Sequence, residues 1–243
     1  MRGAGILACV TVAACHHAPA VRPQVQPDVE LAQALDRFHH GDCGHAVPTL
    51  RRLTFEYGAA QPELAQVRYY LAECYFQSGD YVEATHAFRQ VADEHPTSEY
   101  APTALLRAGD ANLRLWRLPD LDPSYGQSAL AIYQELEGRY PGTPAAVRAT
   151  LHVRQLRELF AQKAYKNGMF YYRRKAWDSA IIYFKDVIAN YSDTPGAADA
   201  LLRLVESYHA IGYTAEEKET CAHLQRYYPK ARSLAKTCPP SPS

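Results

Sequence analysis

One frame of residues recurs five times along this 243-residue chain and limits the fold to an array of paired helices. The clearest copy begins with the turn Ser78-Gly79-Asp80 and ends at Pro96, which cannot continue a helix. Between them, Ala84, Phe88 and Val91 are spaced three or four residues apart and therefore lie on one face of a helix. The corresponding first markers of the five copies are Ala46, Ala84, Ala129, Ala180 and Glu217. Such a period predicts stacked two-helix units.

The residues before each turn supply the partner helix. In the second copy, Leu71, Ala72 and Tyr75 are the large, small and aromatic residues of the tetratricopeptide repeat (TPR) pattern. Ala72 and Ala84 are small enough for two antiparallel helices to approach closely. We therefore predict an all-α, right-handed superhelical array of about five TPR helix-turn-helix repeats. Their predicted bounds are 29–57, 62–96, 101–141, 145–191 and 195–229.

The repeats are unevenly spaced, since successive markers lie 38, 45, 51 and 37 residues apart. The extra residues before the third marker, Ala129, fall in the loop 118–123, whose two prolines break a helix. The extra residues before the fourth marker, Ala180, include no helix breaker between Ala145 and Lys175. We therefore predict a long first helix in the fourth repeat, of about 30 residues, or about 45 Å at a rise of 1.5 Å per residue. That helix would join an N-terminal group of repeats to a C-terminal pair.

The first residues indicate export and a lipid anchor. Residues 1–14 combine an arginine, an apolar run too short to span a bilayer and a small-residue ending. The ending resembles the lipobox of bacterial lipoproteins, which implies a lipoprotein signal peptide with Cys15 as the lipidated residue. An ordinary secretory signal or a misplaced start codon is the alternative. Residues 15–28 contain three prolines and few apolar side chains, so we predict an extended tether there. Residues 231–243 are assigned to a C-terminal tail.

Charge and motifs argue against nucleic-acid binding and against catalysis. The chain has 26 basic and 26 acidic residues, so it lacks the positive field that nucleic-acid binding requires. No phosphate loop, serine nucleophile elbow or zinc-protease motif occurs. We therefore expect a protein without catalytic activity, metal or cofactor. An enzyme that uses a histidine cluster remains as an alternative to the two scaffold hypotheses given below. The cluster matches no known spacing of metal ligands and consists of His39, His40, Asp42, Cys43 and His45.

Four cysteines follow the predicted lipid anchor, and an even number in an exported protein is typical of disulfides. Cys43 begins the second helix of the first repeat, and Cys74 lies near the end of the antiparallel helix that follows. This arrangement predicts a Cys43–Cys74 disulfide. The tail can fold back onto the last helix, which predicts a second disulfide, Cys221–Cys238. Four free or buried thiols are the alternative.

Several stretches resemble the BamD (YfiO/ComL) family, lipoprotein subunits of the outer-membrane β-barrel assembly machine. They are residues 120–123, 163–165, 170–177 and 190–194, together with Tyr140-Pro141. The resemblance implies a scaffold that is lipid-anchored at the periplasmic face of the outer membrane. Such a scaffold would bind a BamA-like barrel-forming subunit through its C-terminal repeats and unfolded outer-membrane protein segments through its N-terminal repeats.

The chain departs from this family at three positions, Gly58, Leu121 and Phe184, where proline, arginine and a basic residue are common. These departures leave the scaffold unchanged but weaken any transfer of individual partner contacts. The alternative is another envelope TPR scaffold, such as the Tol-Pal-associated coordinator. That family normally carries an N-terminal coiled coil, which is not present between Cys15 and Val29.

The TPR pattern and the resemblance assign candidate binding residues. An aromatic groove with a few charges suits an extended apolar peptide, although some of its rings are expected to pack between helices instead. The resemblance assigns partner binding to Arg173 and Arg174, whose other interpretation is a solvated charge at a turn. The first-helix positions that line the concave groove of TPR proteins fall on Phe38, Tyr69, Glu73, Phe76, Leu105, Tyr165, Met169 and Tyr172.

Overall fold

The computed structural model describes residues 26–117 and 122–239, which contain helices and no strand. The first ten helices form five antiparallel pairs in chain order, and a short helix follows them. The protein is therefore the all-α TPR superhelix that the repeat pattern predicts. The helices are α1 Pro27–His39, α2 Cys43–Glu56, α3 Pro62–Ser78, α4 Tyr81–Glu94, α5 Tyr100–Leu115, α6 Ser124–Arg139, α7 Pro144–Arg173, α8 Trp177–Asn190, α9 Ala197–Ile211, α10 Thr214–Tyr227 and α11 Leu234–Thr237.

Three helices, α1, α3 and α7, begin at a proline: Pro27, Pro62 and Pro144. At the first helical position the fixed φ of proline suits the helix, and its missing N–H is not needed. Helix α1 thus begins inside the segment 15–28 assigned to an extended tether, because Pro27 starts a helix there instead of preventing one. Cys15 and the rest of residues 1–25 lie outside the described residues, as do residues 118–121 and 240–243.

A sharp turn joins the two helices of four of the described pairs. In the first, second and fifth pairs this turn places Gly41, Gly79 and Gly212 at φ 77°, 84° and 77°. Glycine adopts this left-handed region freely because it has no Cβ. In the fourth pair the equivalent residue is Lys175, with φ 59°. The third pair is joined by the longer segment that includes residues 118–121.

Close packing within two pairs depends on a glycine inside the first helix. A Cβ on Gly109 in α5 would lie 2.4 Å from the Tyr133 ring in α6. A Cβ on Gly168 in α7 would lie 2.6 Å from the Phe184 ring in α8. Both rings are fully buried. Glycine is therefore required at these positions despite its low helix propensity.

The first helices of the pairs lie on the inner side of the superhelix. Each of α1, α3, α5 and α7 contacts the next first helix as well as its own partner. Among the described helices, the second helices α2, α4, α6, α8 and α10 make no such contacts with one another. Elements that approach closely along one side curve an array toward that side. The odd-numbered helices α1 to α9 therefore line the concave face.

Helix α7 is 30 residues long and connects the two halves of the array. Its residues Leu156 and Phe160 belong to a core shared with α3, α4, α5 and α6. Its residues Ala161 and Ala164 belong to the next core, shared with α8 and α9. One continuous helix therefore contributes to the packing of both halves.

Two cysteine pairs lie at bonding distance within the described residues. Cys43 at the start of α2 is bonded to Cys74 in α3, with Cα atoms 5.2 Å apart. Cys221 in α10 is bonded to Cys238 after α11, with Cα atoms 5.5 Å apart. The tail thus folds back onto the fifth pair, where Cys238 is buried among apolar residues of α9 and α10. These pairings follow the helix arrangement that the repeat pattern predicts, and thiol counting tests whether they form in solution.

Candidate functional site

The predicted groove residues of α3 and α7 share one register on the inner side of the superhelix. In α3, Tyr69, Glu73 and Phe76 lie three residues before, one after and four after the small residue Ala72. In α7, Tyr165, Met169 and Tyr172 lie at the same three offsets from the small residue Gly168. The rings of this set are half-buried, so each presents part of its surface to solvent.

The other two predicted groove residues differ from one another. Phe38 in α1 is half-buried and packs edge to face on Tyr70 of α3, with ring centroids 4.9 Å apart. Leu105 is fully buried in the core and cannot contact a ligand, so its prediction is wrong. The small residue of α5 is Gly109, and the place equivalent to Glu73 is Asp110. The long insertion after α5 hides this register. The place equivalent to Tyr69 is Leu106, one residue after Leu105, and it is buried as well.

Arg107, which the repeat pattern does not single out, lies at the centre of the N-terminal half of the groove. From α5 it donates hydrogen bonds from Nε and Nη2 to the two carboxylate oxygens of Glu73 in α3, at 2.7 and 2.8 Å. Its guanidinium carbon lies 3.8 Å from the centroid of the Phe76 ring, a cation–π contact. Tyr69 donates its hydroxyl to the same carboxylate at 3.0 Å. Glu73 is only 8% exposed, so its carboxylate is fixed by these contacts.

A second carboxylate continues this network toward α7. Asp110 accepts hydrogen bonds from Arg107 Nη1 at 3.3 Å and from the Tyr133 hydroxyl at 2.7 Å. His152 of α7 stacks on Tyr133 with ring centroids 4.8 Å apart, and its Nε2 lies 4.0 Å from Asp110 Oδ1. Burial lowers the pKa of Arg107, but its pairing with Glu73 and Asp110 outweighs burial and raises the pKa above its ordinary value. The groove therefore keeps a charged guanidinium held by Glu73 of α3 and by Asp110 of its own helix.

A corresponding cluster lies in the C-terminal half, on α7 and α9. Arg203 donates from Nη1 to Glu206 Oε2 at 2.7 Å, and Tyr172 donates its hydroxyl to the same oxygen at 2.8 Å. The guanidinium carbon of Arg203 lies 5.5 Å from the Tyr172 ring centroid. Burial lowers the pKa of Arg203, but hydrogen bonds with Tyr165 and Glu206 raise it overall. Both halves of the concave face thus hold an arginine between a carboxylate and an aromatic ring.

The two arginines predicted to bind a partner lie at the end of α7 and have different surroundings. Arg174 donates from Nη1 to the carbonyl oxygen of Phe170 at 3.1 Å, and its guanidinium carbon lies 3.5 Å from the Phe170 ring centroid. Arg174 is therefore held against its own helix. Arg173 is exposed, and its side chain has no hydrogen bond or ion pair with any residue that the structure describes.

Aromatic rings lie beside Arg174. Phe170 is 49% exposed and packs edge to face on Tyr171, with ring centroids 5.2 Å apart. Tyr171 stacks on Tyr183 of α8 at 5.5 Å. The resulting surface joins aromatic and cationic side chains at the point where α7 turns into α8. We call it the α7–α8 corner, and it consists of Phe170, Tyr171, Arg173, Arg174, Lys175 and Tyr183.

The histidine cluster near the first turn has a structural explanation. Asp42 accepts a hydrogen bond from the backbone N–H of His45 at 3.3 Å and contacts its Nδ1 at 2.8 Å, so Asp42 caps the start of α2. In residues 26–117 and 122–239, no group of three or more histidine, cysteine, aspartate or glutamate residues is placed to hold a metal ion. Across these same ranges, no helix has the length and apolar character to cross a membrane.

Comparison with known proteins gives a family match along most of the chain. A family model described as "YfiO: Outer membrane lipoprotein" matches residues 23–224. Outer membrane protein assembly factor BamD from Vibrio cholerae is 28% identical over 232 residues, which cover 91% of this chain and 95% of that protein. BamD from Caulobacter vibrioides is 27% identical over 191 residues, or 63% of each chain.

Several solved structures that match this chain at low sequence identity are named as TPR or TPR-like proteins. The TPR2AB domain of yeast Sti1, solved in complex with pHSP90, has a TM-score of 0.44 and 13% identity and covers 84% of this chain and 78% of its own. The family model, by contrast, spans helices α1 to α9 and most of α10. The chain therefore belongs to the YfiO (BamD) family of outer-membrane lipoproteins.

Proposed function

We propose that this protein is a non-catalytic scaffold for the assembly of outer-membrane β-barrel proteins. The observation that carries the proposal is the family match over residues 23–224. Two relatives in that family, from Vibrio cholerae and Caulobacter vibrioides, are named outer membrane protein assembly factors. A superhelix of stacked repeats suits this role because it offers an extended concave surface for binding other chains.

The concave face is proposed to bind unfolded outer-membrane protein segments. Such segments alternate apolar side chains with polar ones and have unpaired backbone N–H and C=O groups. The half-buried guanidinium groups of Arg107 and Arg203, held in place by Glu73 and Glu206, can donate to the carbonyl oxygens of such a backbone. The half-buried rings around the two pairs offer apolar contact to alternate side chains. Leu105 is not part of this proposal because it is buried.

Replacing Phe76 with alanine tests the groove. Phe76 is half-buried on the concave face, whereas Phe55 lies on a second helix and is 88% exposed, so Phe55→Ala is a matched control. The probe is a fluorescent peptide that copies one transmembrane strand of an outer-membrane β-barrel protein, and anisotropy measures its Kd. Phe76→Ala should raise the Kd by about tenfold, as truncation of a ring at the centre of an interface does. Equal Kd values for the two variants would remove the groove from the proposal.

The α7–α8 corner is proposed to contact the periplasmic domains of a BamA-like barrel-forming subunit, with Arg173 and Arg174 as binding residues. Lipidation of Cys15 is proposed to attach the protein to the outer membrane at its periplasmic face. A Cys15→Ala variant should then move from the membrane fraction to the soluble periplasmic fraction while its circular dichroism spectrum stays helical. A variant that remains membrane-bound would argue against Cys15 as the anchor.

Affinity purification from solubilised membranes distinguishes this role from that of another envelope scaffold. Recovery of a barrel protein with periplasmic repeat domains supports the assembly role. Recovery of Tol-Pal components instead would favour the alternative scaffold. Under conditions that preserve other envelope complexes, the absence of any barrel protein would count against the proposal.

A further inference from the structure

Helix α9 buries apolar residues on two sides. Leu204 and Tyr208 belong to the core that α9 shares with α7 and α8. Leu201, Leu202 and Val205 belong to a separate cluster with α10 and the tail, and all three are buried. A helix at the surface of a protein normally has one apolar side, so the second side of α9 needs a cover of its own. No further helix pair follows α10 among the described residues to provide it.

The tail covers this second side. Residues 229–239 turn back along the fifth pair, and Ala231, Leu234 and Cys238 pack on the cluster there. Helix α11 contacts both α9 and α10. Each first helix from α3 to α9 contacts both helices of the preceding pair in the same way. The tail therefore occupies the place of a next first helix, and we call residues 229–239 the tail cap.

The tail cap has little structure of its own to hold it in place. Helix α11 is four residues long, which is too short to be stable by itself. Ser233 precedes it with φ 64°, in the left-handed region where a residue with a Cβ is strained. Gln225 of α10 donates a hydrogen bond from Nε2 to the carbonyl oxygen of Cys238 at 3.3 Å. The covalent fastening is the Cys221–Cys238 disulfide, so the tail cap depends on it.

The two disulfides differ in how deeply they are buried. Cys43 and Cys74 are 7% and 0% exposed and join two neighbouring helix pairs. Cys238 is also buried, but Cys221 is partly exposed, and opening this site moves only a short terminal segment. Local opening of such a segment takes less free energy than separating helix pairs. Because a thiolate must reach a sulfur atom to exchange with it, Cys221–Cys238 should be reduced first.

Charge on the tail cap is one-sided. Lys230, Arg232 and Lys236 are exposed, and residues 229–239 contain no aspartate or glutamate. Two capped copies of the chain would therefore repel one another at this end. Removal of the cap would leave an apolar end instead, whereas terminal repeats need a polar outer face to stay soluble. The same apolar end on another copy can meet it across a two-fold axis.

We propose that the oxidation state of Cys221 and Cys238 decides whether the tail cap is closed, and that the uncapped end of the fifth pair binds a second copy of this chain. A dithiol opens the cap. One of its thiolates attacks a sulfur of the disulfide and forms a mixed disulfide, which its second thiol then displaces. The dithiol leaves as a disulfide, and its two electrons and two protons remain on Cys221 and Cys238 as thiols.

Reduction without denaturant tests the order of exchange. The full mature chain in detergent is treated with dithiothreitol, its thiols are alkylated at intervals, and peptide mass spectrometry identifies the labelled cysteines. Cys221 and Cys238 should carry label while Cys43–Cys74 is still intact. Labelling of all four cysteines at the same rate would overturn the inference, because it would show that the tail cap does not open by itself.

Sedimentation velocity of the same samples measures self-association. The oxidised chain should be a monomer, the selectively reduced chain should double its protein mass, and reoxidation should restore the monomer. A Cys221→Ser/Cys238→Ser variant should dimerise without reductant. The matched control is Cys43→Ser/Cys74→Ser, which should stay monomeric until it is reduced. Circular dichroism verifies that both variants are helical, and a folded Cys221→Ser/Cys238→Ser monomer would refute the proposed binding of a second copy.

Two leucine substitutions locate the contact in the Cys221→Ser/Cys238→Ser background. Leu202→Glu places like charges on the two uncapped ends and should return the chain to a monomer. Leu151→Glu is the matched control, because Leu151 is 53% exposed on α7, away from the fifth pair, and its dimer should persist. A dimer that survives Leu202→Glu would place the contact elsewhere and overturn the inference. Peptide binding to the concave face is a separate measurement, so its failure would leave this result unchanged.

Discussion

Alanine at Gly168 should not stabilise this protein, although alanine stabilises most helices relative to glycine. In an exposed helix interior the exchange gains about 1 kcal/mol. At Gly168 the new Cβ would lie 2.6 Å from the Phe184 ring, far inside normal contact. Phe184 is fully buried, so the ring can move only by displacing the core between α7, α8 and α9.

The magnitude follows from a matched exchange elsewhere in the chain. Gly138 lies in α6 and is exposed, and a Cβ added to it would have no neighbouring atom within 4 Å. Gly138→Ala should therefore raise the free energy of unfolding by about 0.5–1 kcal/mol. Overpacking a core costs about 1–3 kcal/mol, which should make Gly168→Ala neutral to about 2 kcal/mol less stable than wild type. The gain in helix propensity from glycine to alanine is common to both variants. The difference between their free energies of unfolding, about 1–3 kcal/mol, therefore isolates the contact with Phe184.

Urea unfolding followed by circular dichroism at 222 nm measures this difference. Repeat arrays can lose cooperativity, so the slopes of the transitions must agree before free energies are compared. A second variant, Gly168→Ala with Phe184→Leu, makes room for the new methyl group and should recover part of the loss. An equal gain in stability for Gly168→Ala and Gly138→Ala would refute the reasoning, because it would show that α7 and α8 have space at their contact.

Three further predictions concern cysteine, charge and pH. In a soluble form that lacks residues 1–25, no thiol should react after denaturation without reductant, and Cys238→Ser should expose one thiol, on Cys221, and lower the unfolding midpoint. Glu73→Gln should cost about 1–3 kcal/mol of unfolding free energy, because it leaves the half-buried Arg107 without its carboxylate. Burial first, and a nearby arginine second, lower the pKa of His95. The unfolded chain then binds more protons, so stability should fall as the pH drops through about 6.5, and His95→Gln should flatten that fall in thermal melts between pH 7 and 5.

The helix pairs could be predicted from the sequence because their cause is local. Small and large apolar residues at helical spacing decide where each helix packs, and glycine or proline decides where it ends. The long helix α7 is confirmed for the same reason, since no residue between Ala145 and Arg173 breaks it. Leu105 shows where this reasoning fails. With residues 118–123 inserted into the third repeat, the distance from the turn no longer gives the register of α5.

The charged clusters were harder to predict because they join residues of different repeats. Arg107 pairs with Glu73 across 34 residues, and Tyr172 pairs with Glu206 across the same separation. This separation is the usual length of one TPR. A search for complementary polar residues about 34 residues apart, in the first helices of neighbouring repeats, would therefore have predicted these contacts. A search for opposite charges within a single helix would not have found them. The strained Lys175 likewise becomes visible only when the four turns are aligned with one another.

The construction of α7 bears on how the two halves of the groove act together. Phe160 of α7 packs against Trp116 in the N-terminal half, at 5.4 Å between ring centroids, and against Tyr191 of the C-terminal half at 6.4 Å. Arg157 of α7 adds a second contact with the C-terminal half, because it donates to both carboxylate oxygens of Asp193 and to the carbonyl oxygen of Asn190.

Bending α7 between these contacts would open both cores at once, and close-packed interiors resist such opening. The Arg107 and Arg203 clusters therefore keep a fixed separation. A polypeptide that contacts both clusters would have to become ordered over the whole distance between them, and the entropy cost of binding would fall on that polypeptide rather than on the scaffold.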